Sequence, residues 1–212
     1  MASHSKRLLE NLASPKGPGP STTFSMFHIF YALEIVARKP IGRNKLAEKL
    51  NVGEGAIRTI INRLKESGMI VTSKEGCILT DKGSNVWNNF ENIFPKRVEI
   101  GKTALTTSEY NYAFLVKNKG DRVKSGIDQR DAAIMGGARR AIVIVFKRGH
   151  LIIESISNNI EKDFPEAADV ILKDLQPEDN DVIIIAGADD PIKAKRGAFA
   201  ASWVLLANDK KT

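Results

Sequence analysis

The sequence predicts an α+β protein built in two parts: an N-terminal set of helices with a short hairpin, then a small α/β domain of about five strands and three helices. Three observations carry this. In the first half apolar residues recur at helical spacing, as in Ile57, Ile60, Ile61 and Leu64, which puts one stripe inward. In the second half short apolar runs are broken by glycine and charge, among them "RAIVIVFKRGHLIIES" and "DVIIIAG", the pattern of strands. The 212 residues, 42% of them hydrophobic, suffice for two ordinary cores. The expected divisions are an N-terminal arm and linker over 1–23, a first domain over 24–97 and a second over 98–212.

Taken in order, the chain starts with a short amphipathic piece. "SPKGPGPSTTFS" follows, with three prolines and two glycines in twelve residues, too many for the interior of a helix or strand. Ser21, Thr22 or Thr23 is then expected to cap the helix "FSMFHIFYALEIVARK", which Pro40 ends, because the residue before a proline disfavours helix. "GRNKLAEKL" reads as a second helix, "NVG" as a turn, and Glu54 to Ser67 as a third helix stopped by Gly68. "MIVTS", "KEG" and "CILT" read as strand, turn and strand, and a fourth helix starts near Asp81 with Val86, Phe90, Ile93 and Phe94 at helical spacing. In the second half "RVEIGKTALTT" and "YNYAFLVK" read as strands and "SGIDQRDAAIMGG" as a helix. A hairpin turning at Arg148-Gly149, a helix "EKDFPEAADVILKDL", the buried strand "DVIIIAG" and a last helix "AFAASWVLLA" complete it.

Three helices followed by a hairpin is the order of a winged helix-turn-helix. "LAEKLNVGEGAIRTIINRLKESGMI" with "LTDKG" resembles the winged-helix transcriptional regulators of bacteria and archaea. "PIGRNKLAEKLNVGEGAIRTII" and "LTDKG", joined to a tail containing "RDAAIMGGA", resemble more narrowly an archaeal family with a C-terminal domain of uncharacterised function. The first resemblance covers about Phe24 to Phe94 and implies a DNA-binding module. It implies no activity for the second half.

Charge points the same way. Residues 1–97 hold 15 Lys+Arg and 8 Asp+Glu, so the remaining 17 of 32 basic and 17 of 25 acidic residues balance, and the whole excess of +7 lies in the first half. A solubility bias would spread over both halves, whereas a polyanion-binding module concentrates it. No apolar run is long enough to span a bilayer, and the N-terminus is charged where a signal peptide is apolar; a cytoplasmic protein without membrane association is expected. One cysteine, Cys77, and three histidines offer no disulfide and no metal-ligand spacing, so neither metal nor cofactor is expected. Cys77 reads as a small core residue and His28 as packed in its helix.

The outward side of the third helix carries Arg58, Thr59, Asn62 and Arg63. In a recognition helix such residues face base edges, where arginine pairs with guanine and asparagine with adenine; the plain alternative is a solvated helix face. Gly53 and Gly55, around Glu54, leave room for close approach to a phosphate, and Arg43, Lys45 and Lys74 at the hairpin tip are candidate phosphate contacts. In the second half "GGARRA" and "AGADDPIKAKRGA" combine glycine with positive charge. Arg130, Asp131, Gly136, Gly137, Arg139, Arg140, Asp189, Asp190, Lys193 and Arg196 are candidate contacts for a small anionic effector, although glycine between strand and helix is also ordinary turn chemistry. Asp189 and Asp190 read as a Mg²⁺ pair or, better, as a solvated pair or helix cap near Pro191.

The expected protein is therefore a non-enzymatic transcriptional regulator that binds double-stranded DNA as a homodimer, with Val86, Phe90, Ile93 and Phe94 either a dimer face or a row packed within the winged helix or against the second domain. The C-terminal domain would sense an effector or mediate assembly. The competing class is an enzyme with its chemistry in the second half and the winged helix as a docking module. Operator, regulated genes, direction of regulation and effector are not legible in the sequence.

Overall fold

The structure, a computed structural model, describes residues 2–15, 23–154 and 156–206. It is an α+β fold that divides into two units, Met1–Phe90 and Glu91–Thr212. The elements of the first unit are α1 (Ala2–Ala13), α2 (Met26–Arg38), α3 (Arg43–Leu50), α4 (Glu54–Glu66), β1 (Ile70–Ser73) and β2 (Gly76–Leu79), with α5 (Asp81–Ile93) running on into the second.

In the first unit α2 is central because it is apolar nearly all round: Phe27, Ile29, Phe30, Leu33 and Val36 are all buried. The Phe30 ring lies 5.4 Å from Trp87 and 5.5 Å from Phe90 of α5. Its N-cap is Ser25, beyond the three residues expected to cap it; Ser21 and Thr22 lie outside the described residues. His28 has a specific local partner there, since its Nδ1 accepts from the Ser25 backbone N–H at 2.9 Å. Between α3 and α4 the chain turns at Asn51, which adopts φ 51°, a left-handed conformation that asparagine tolerates well. The hairpin pairs Ile70 with Leu79 and Ser73 with Gly76. Ile41 exchanges two backbone hydrogen bonds with Cys77 at 3.2 and 2.8 Å, adding a short third strand.

The amphipathic start is a helix with a place in this core, not an arm. Leu9 and Leu12 of α1 are buried, and the Ser5 hydroxyl, 1% exposed, accepts from Asn89 Nδ2 at 3.2 Å. The proline- and glycine-rich stretch 16–22 lies outside the described residues. Of the two roles expected for the α5 row, packing within the chain is the one observed. Val86, Phe90 and Phe94 are buried within the chain, Phe90 against Phe30 and Phe94 against Phe114 at 5.6 Å, because apolar helical faces go first to the nearest core.

The second unit contains β3 (Lys96–Glu99), β4 (Tyr110–Val116), α6 (Ile127–Met135), β5 (Arg140–Lys147), β6 (His150–Ile152), α7 (Ile160–Asp163), α8 (Pro165–Leu175), β7 (Val182–Ala188) and α9 (Pro191–Val204). Its five-stranded sheet has the order β3-β4-β7-β5-β6 with every neighbouring pair antiparallel. β7 is buried along its whole length, as a central strand covered on both faces must be. Alternate residues face opposite sides: Ala113, Leu115, Ile144, Ile183 and Ile185 share one core with Ala168, Ile171 and Leu175 of α8. On the other side Phe114 meets Phe199 of α9 at 6.4 Å.

Three expected elements differ in extent. The strand read over 97–107 stops at Glu99, and residues up to Glu109 form a loop. The helix read over 161–175 is two helices divided at Pro165, which takes the first position of α8. The last helix begins at Pro191, seven residues before the apolar run, with Asp190 as its N-cap accepting from the Lys193 N–H at 2.8 Å.

Gly76 holds the hairpin against the start of α3. At φ 120° a Cβ there would stand 2.4 Å from the Ile41 carbonyl carbon and oxygen, so strain and collision add. Gly76→Ala is expected to destabilise the protein by more than about 2 kcal/mol in urea unfolding. Gly55→Ala, where a Cβ would meet nothing within 4 Å, is expected to be neutral or to stabilise by up to about 1 kcal/mol.

Candidate functional site

Burial of Ile57, Ile60 and Leu64, at 1%, 0% and 0% exposure, fixes which side of α4 meets solvent. Arg58, Thr59 and Asn62 are exposed on the opposite side. The Thr59 hydroxyl donates to the Gly55 carbonyl at 2.9 Å. Glu54 opens the helix; its Oε1 accepts from Arg58 Nη2 at 2.6 Å and lies 3.7 Å from Arg43 Nη2. Gly53 and Gly55 border open space, so packing does not require glycine at either position. Lys45 on α3 and Lys74, in the two-residue turn between Ser73 and Gly76, are exposed. The first unit therefore presents Arg43, Lys45, Arg58, Asn62 and Lys74 from α3, α4 and the hairpin tip.

Arg63 does not belong to that face. It is 6% exposed; Nη1 donates to the carbonyls of Leu12 at 2.5 Å and Ser14 at 2.8 Å, and the guanidinium lies 5.1 Å from the Phe24 ring centroid. Sequence periodicity placed it outside because it lies off the isoleucine stripe, but the C-terminal end of α1 reaches that side of α4 and collects its unsatisfied carbonyls there. Cys77 is buried, and burial pushes its thiol above the usual range, which fits a core residue and not a reactive one. Among the described residues no group of three or more His, Cys, Asp or Glu could hold a metal ion, and no helix is long and apolar enough to cross a membrane.

In the second unit most of the expected effector residues gather at one end of the sheet, where β5 begins and β7 ends. Arg139 Nη2 donates to Asp189 Oδ2 at 2.6 Å and Lys193 Nζ approaches Asp189 Oδ1 at 3.3 Å. Lys193, with Arg139 adding to it, holds the Asp189 carboxyl below its usual range. Arg196 Nε donates to the Gly136 carbonyl, and its guanidinium passes over Gly137, whose φ is 103°. Arg140 Nη1 donates to Thr107 Oγ1 at 2.8 Å. An open cleft of about 270 Å³ is lined by Thr107, Ser108, Glu109, Arg139, Arg140 and Asp189. Arg130 and Asp131 lie apart on α6, with Arg130 at a separate, mainly apolar groove of about 200 Å³.

The sheet is antiparallel, so the end of β7 lies beside the starts of β4 and β5. Asp190 is the helix cap expected near Pro191, and Asp189 is engaged by two cations. Thr107, Ser108 and Glu109 were missed because "KTALTT" reads as a continuation of β3. The signal against that was Gly101 interrupting the run.

Arg63→Ala is expected to cost about 2–3 kcal/mol of stability in urea unfolding of the full chain, since it removes charge-assisted bonds and strands two carbonyls. Arg63→Lys should recover only part, because one ammonium lacks the planar fork. Unchanged stability would return Arg63 to the solvent face.

Residues 30–85 match the family described as PH0730-like, N-terminal domain, and residues 107–205 match Domain of unknown function (DUF4443). Among curated proteins none matches the chain. A solved structure, the hypothetical protein PH0730 from Pyrococcus horikoshii OT3, is similar at 26% identity with a TM-score of 0.69, over 86% of this chain and 92% of that one. Both halves are thus similar to an archaeal protein, in agreement with the resemblance carried by "PIGRNKLAEKLNVGEGAIRTII" and "RDAAIMGGA".

Proposed function

We propose that the chain is a DNA-binding transcriptional regulator whose first unit docks α4 into the major groove of a duplex. The observation that carries this reading is the exposure of Arg58, Thr59 and Asn62 on α4, with Arg43 and Lys45 on α3 and Lys74 at the hairpin tip also exposed, on a helix-turn-helix followed by a hairpin. The cations take phosphates, which positions the protein without reading sequence; Asn62 and Thr59 meet base edges. The packing-free surroundings of Gly53 and Gly55 allow the backbone to approach the strand.

The second unit serves assembly in this reading. Its cleft balances Arg139 and Arg140 against Glu109 and Asp189, which gives a small anionic effector little support. Ile127, Ile134, Met135 and Ile156 are 50%, 45%, 90% and 73% exposed, and Ile127 and Ile156 line the same apolar groove, which gives a second copy an apolar surface to cover. A homodimer would double the bases contacted on a two-fold site.

Duplex binding should weaken steeply with salt, because each neutralised phosphate contributes about −0.9 to the slope of log affinity against log salt. Asn62→Ala is expected to cost about 1–3 kcal/mol on the preferred site and to flatten base preference, while Lys74→Ala weakens all duplexes alike and makes the slope shallower by about one. A flat salt dependence in fluorescence anisotropy contradicts the reading. Sedimentation of the full chain is expected to show a dimer that Met135→Lys disrupts; a monomer both free and on DNA removes the assembly role.

A further inference from the structure

Glu54 is the acid at the start of α4 to which two guanidiniums, Arg43 and Arg58, turn. Arg43 comes from the first residue of α3 and Arg58 from one turn into α4, yet both converge on the same carboxylate oxygen, at 3.7 and 2.6 Å. The side chains are 47%, 66% and 60% exposed for Arg43, Glu54 and Arg58, and exposed pairs of this kind contribute little to folding. Their arrangement matters for what else the arginines meet. Two guanidiniums from separate helices gripping one anionic oxygen is also how a phosphodiester oxygen is held, so the carboxylate occupies the place a backbone phosphate would take.

We propose that Glu54 is an internal competitor for the DNA backbone: it pairs with Arg43 and Arg58 in the free protein, offsetting one of their two charges, and must be displaced by a phosphate when duplex binds. This rests on the DNA-binding reading above. Its consequence is a uniform lowering of affinity for all duplexes, which suppresses binding where only phosphates are met and leaves Asn62 and Thr59 to decide among sequences. Glu54→Gln keeps the side chain's shape and removes the competing charge, releasing two cations to the backbone and deleting one repulsion between carboxylate and phosphate.

The test is fluorescence anisotropy of the full chain with a duplex of mixed sequence over a range of salt. Glu54→Gln is expected to bind roughly three- to tenfold tighter at low salt, with a salt slope steeper by about one to two and unchanged thermal unfolding. The gain should vanish when Arg43→Ala and Arg58→Ala are also present. Glu54→Gln binding no tighter than the parent, or a gain that persists in full without both arginines, overturns the competitor role while leaving DNA binding intact. A parent protein with no salt-dependent duplex binding overturns both.

Discussion

Everything proposed for the first unit depends on how α4 is rotated about its own axis. Ile57, Ile60 and Leu64 set that rotation through burial, and Arg63 locks its flank by donating to Leu12 and Ser14 at the end of α1. A buried guanidinium is tolerated only when its donors are satisfied, and here two helix-terminal carbonyls and the Phe24 ring supply the environment. With Arg63 drawn inward, the row expected to read bases narrows to Arg58, Thr59 and Asn62. The reading surface and the packing surface are two sides of one constraint.

Much of this fold was legible in the sequence because helical and strand periodicities are local properties. Helices α2 to α5, the hairpin and the number of strands in the main sheet follow from spacing and glycine placement. What was not legible depends on distant contacts. Arg63 lies only about 20° around the helix from buried Ala56, counting about 100° per residue, but its side is covered by a helix some fifty positions away. The amphipathic run with Leu9 and Leu12 was the available signal that something there needed a docking place. Strand order is likewise a global property: nothing in "DVIIIAG" or "RAIVIVFK" distinguishes parallel from antiparallel neighbours.

The two units also differ in how they use charge. In the second, Arg139, Arg140 and Lys193 each have an acceptor within the same sheet end, so charge there holds loops together. In the first, exposed Arg43, Lys45, Arg58 and Lys74 face solvent from α3, α4 and the hairpin tip, and Arg43 and Arg58 share Glu54 as an exposed acceptor. An exposed cluster of cations is costly to concentrate unless an anion joins it, and DNA is the polyanion whose groove also suits a helix.

The most direct measurement is selection of bound molecules from a pool of random-sequence duplexes by the full chain. The account predicts enrichment of a short motif, and its loss when Asn62 is replaced by alanine while overall duplex binding persists. Failure to enrich any sequence, or equal enrichment by the Asn62→Ala variant, would contradict it.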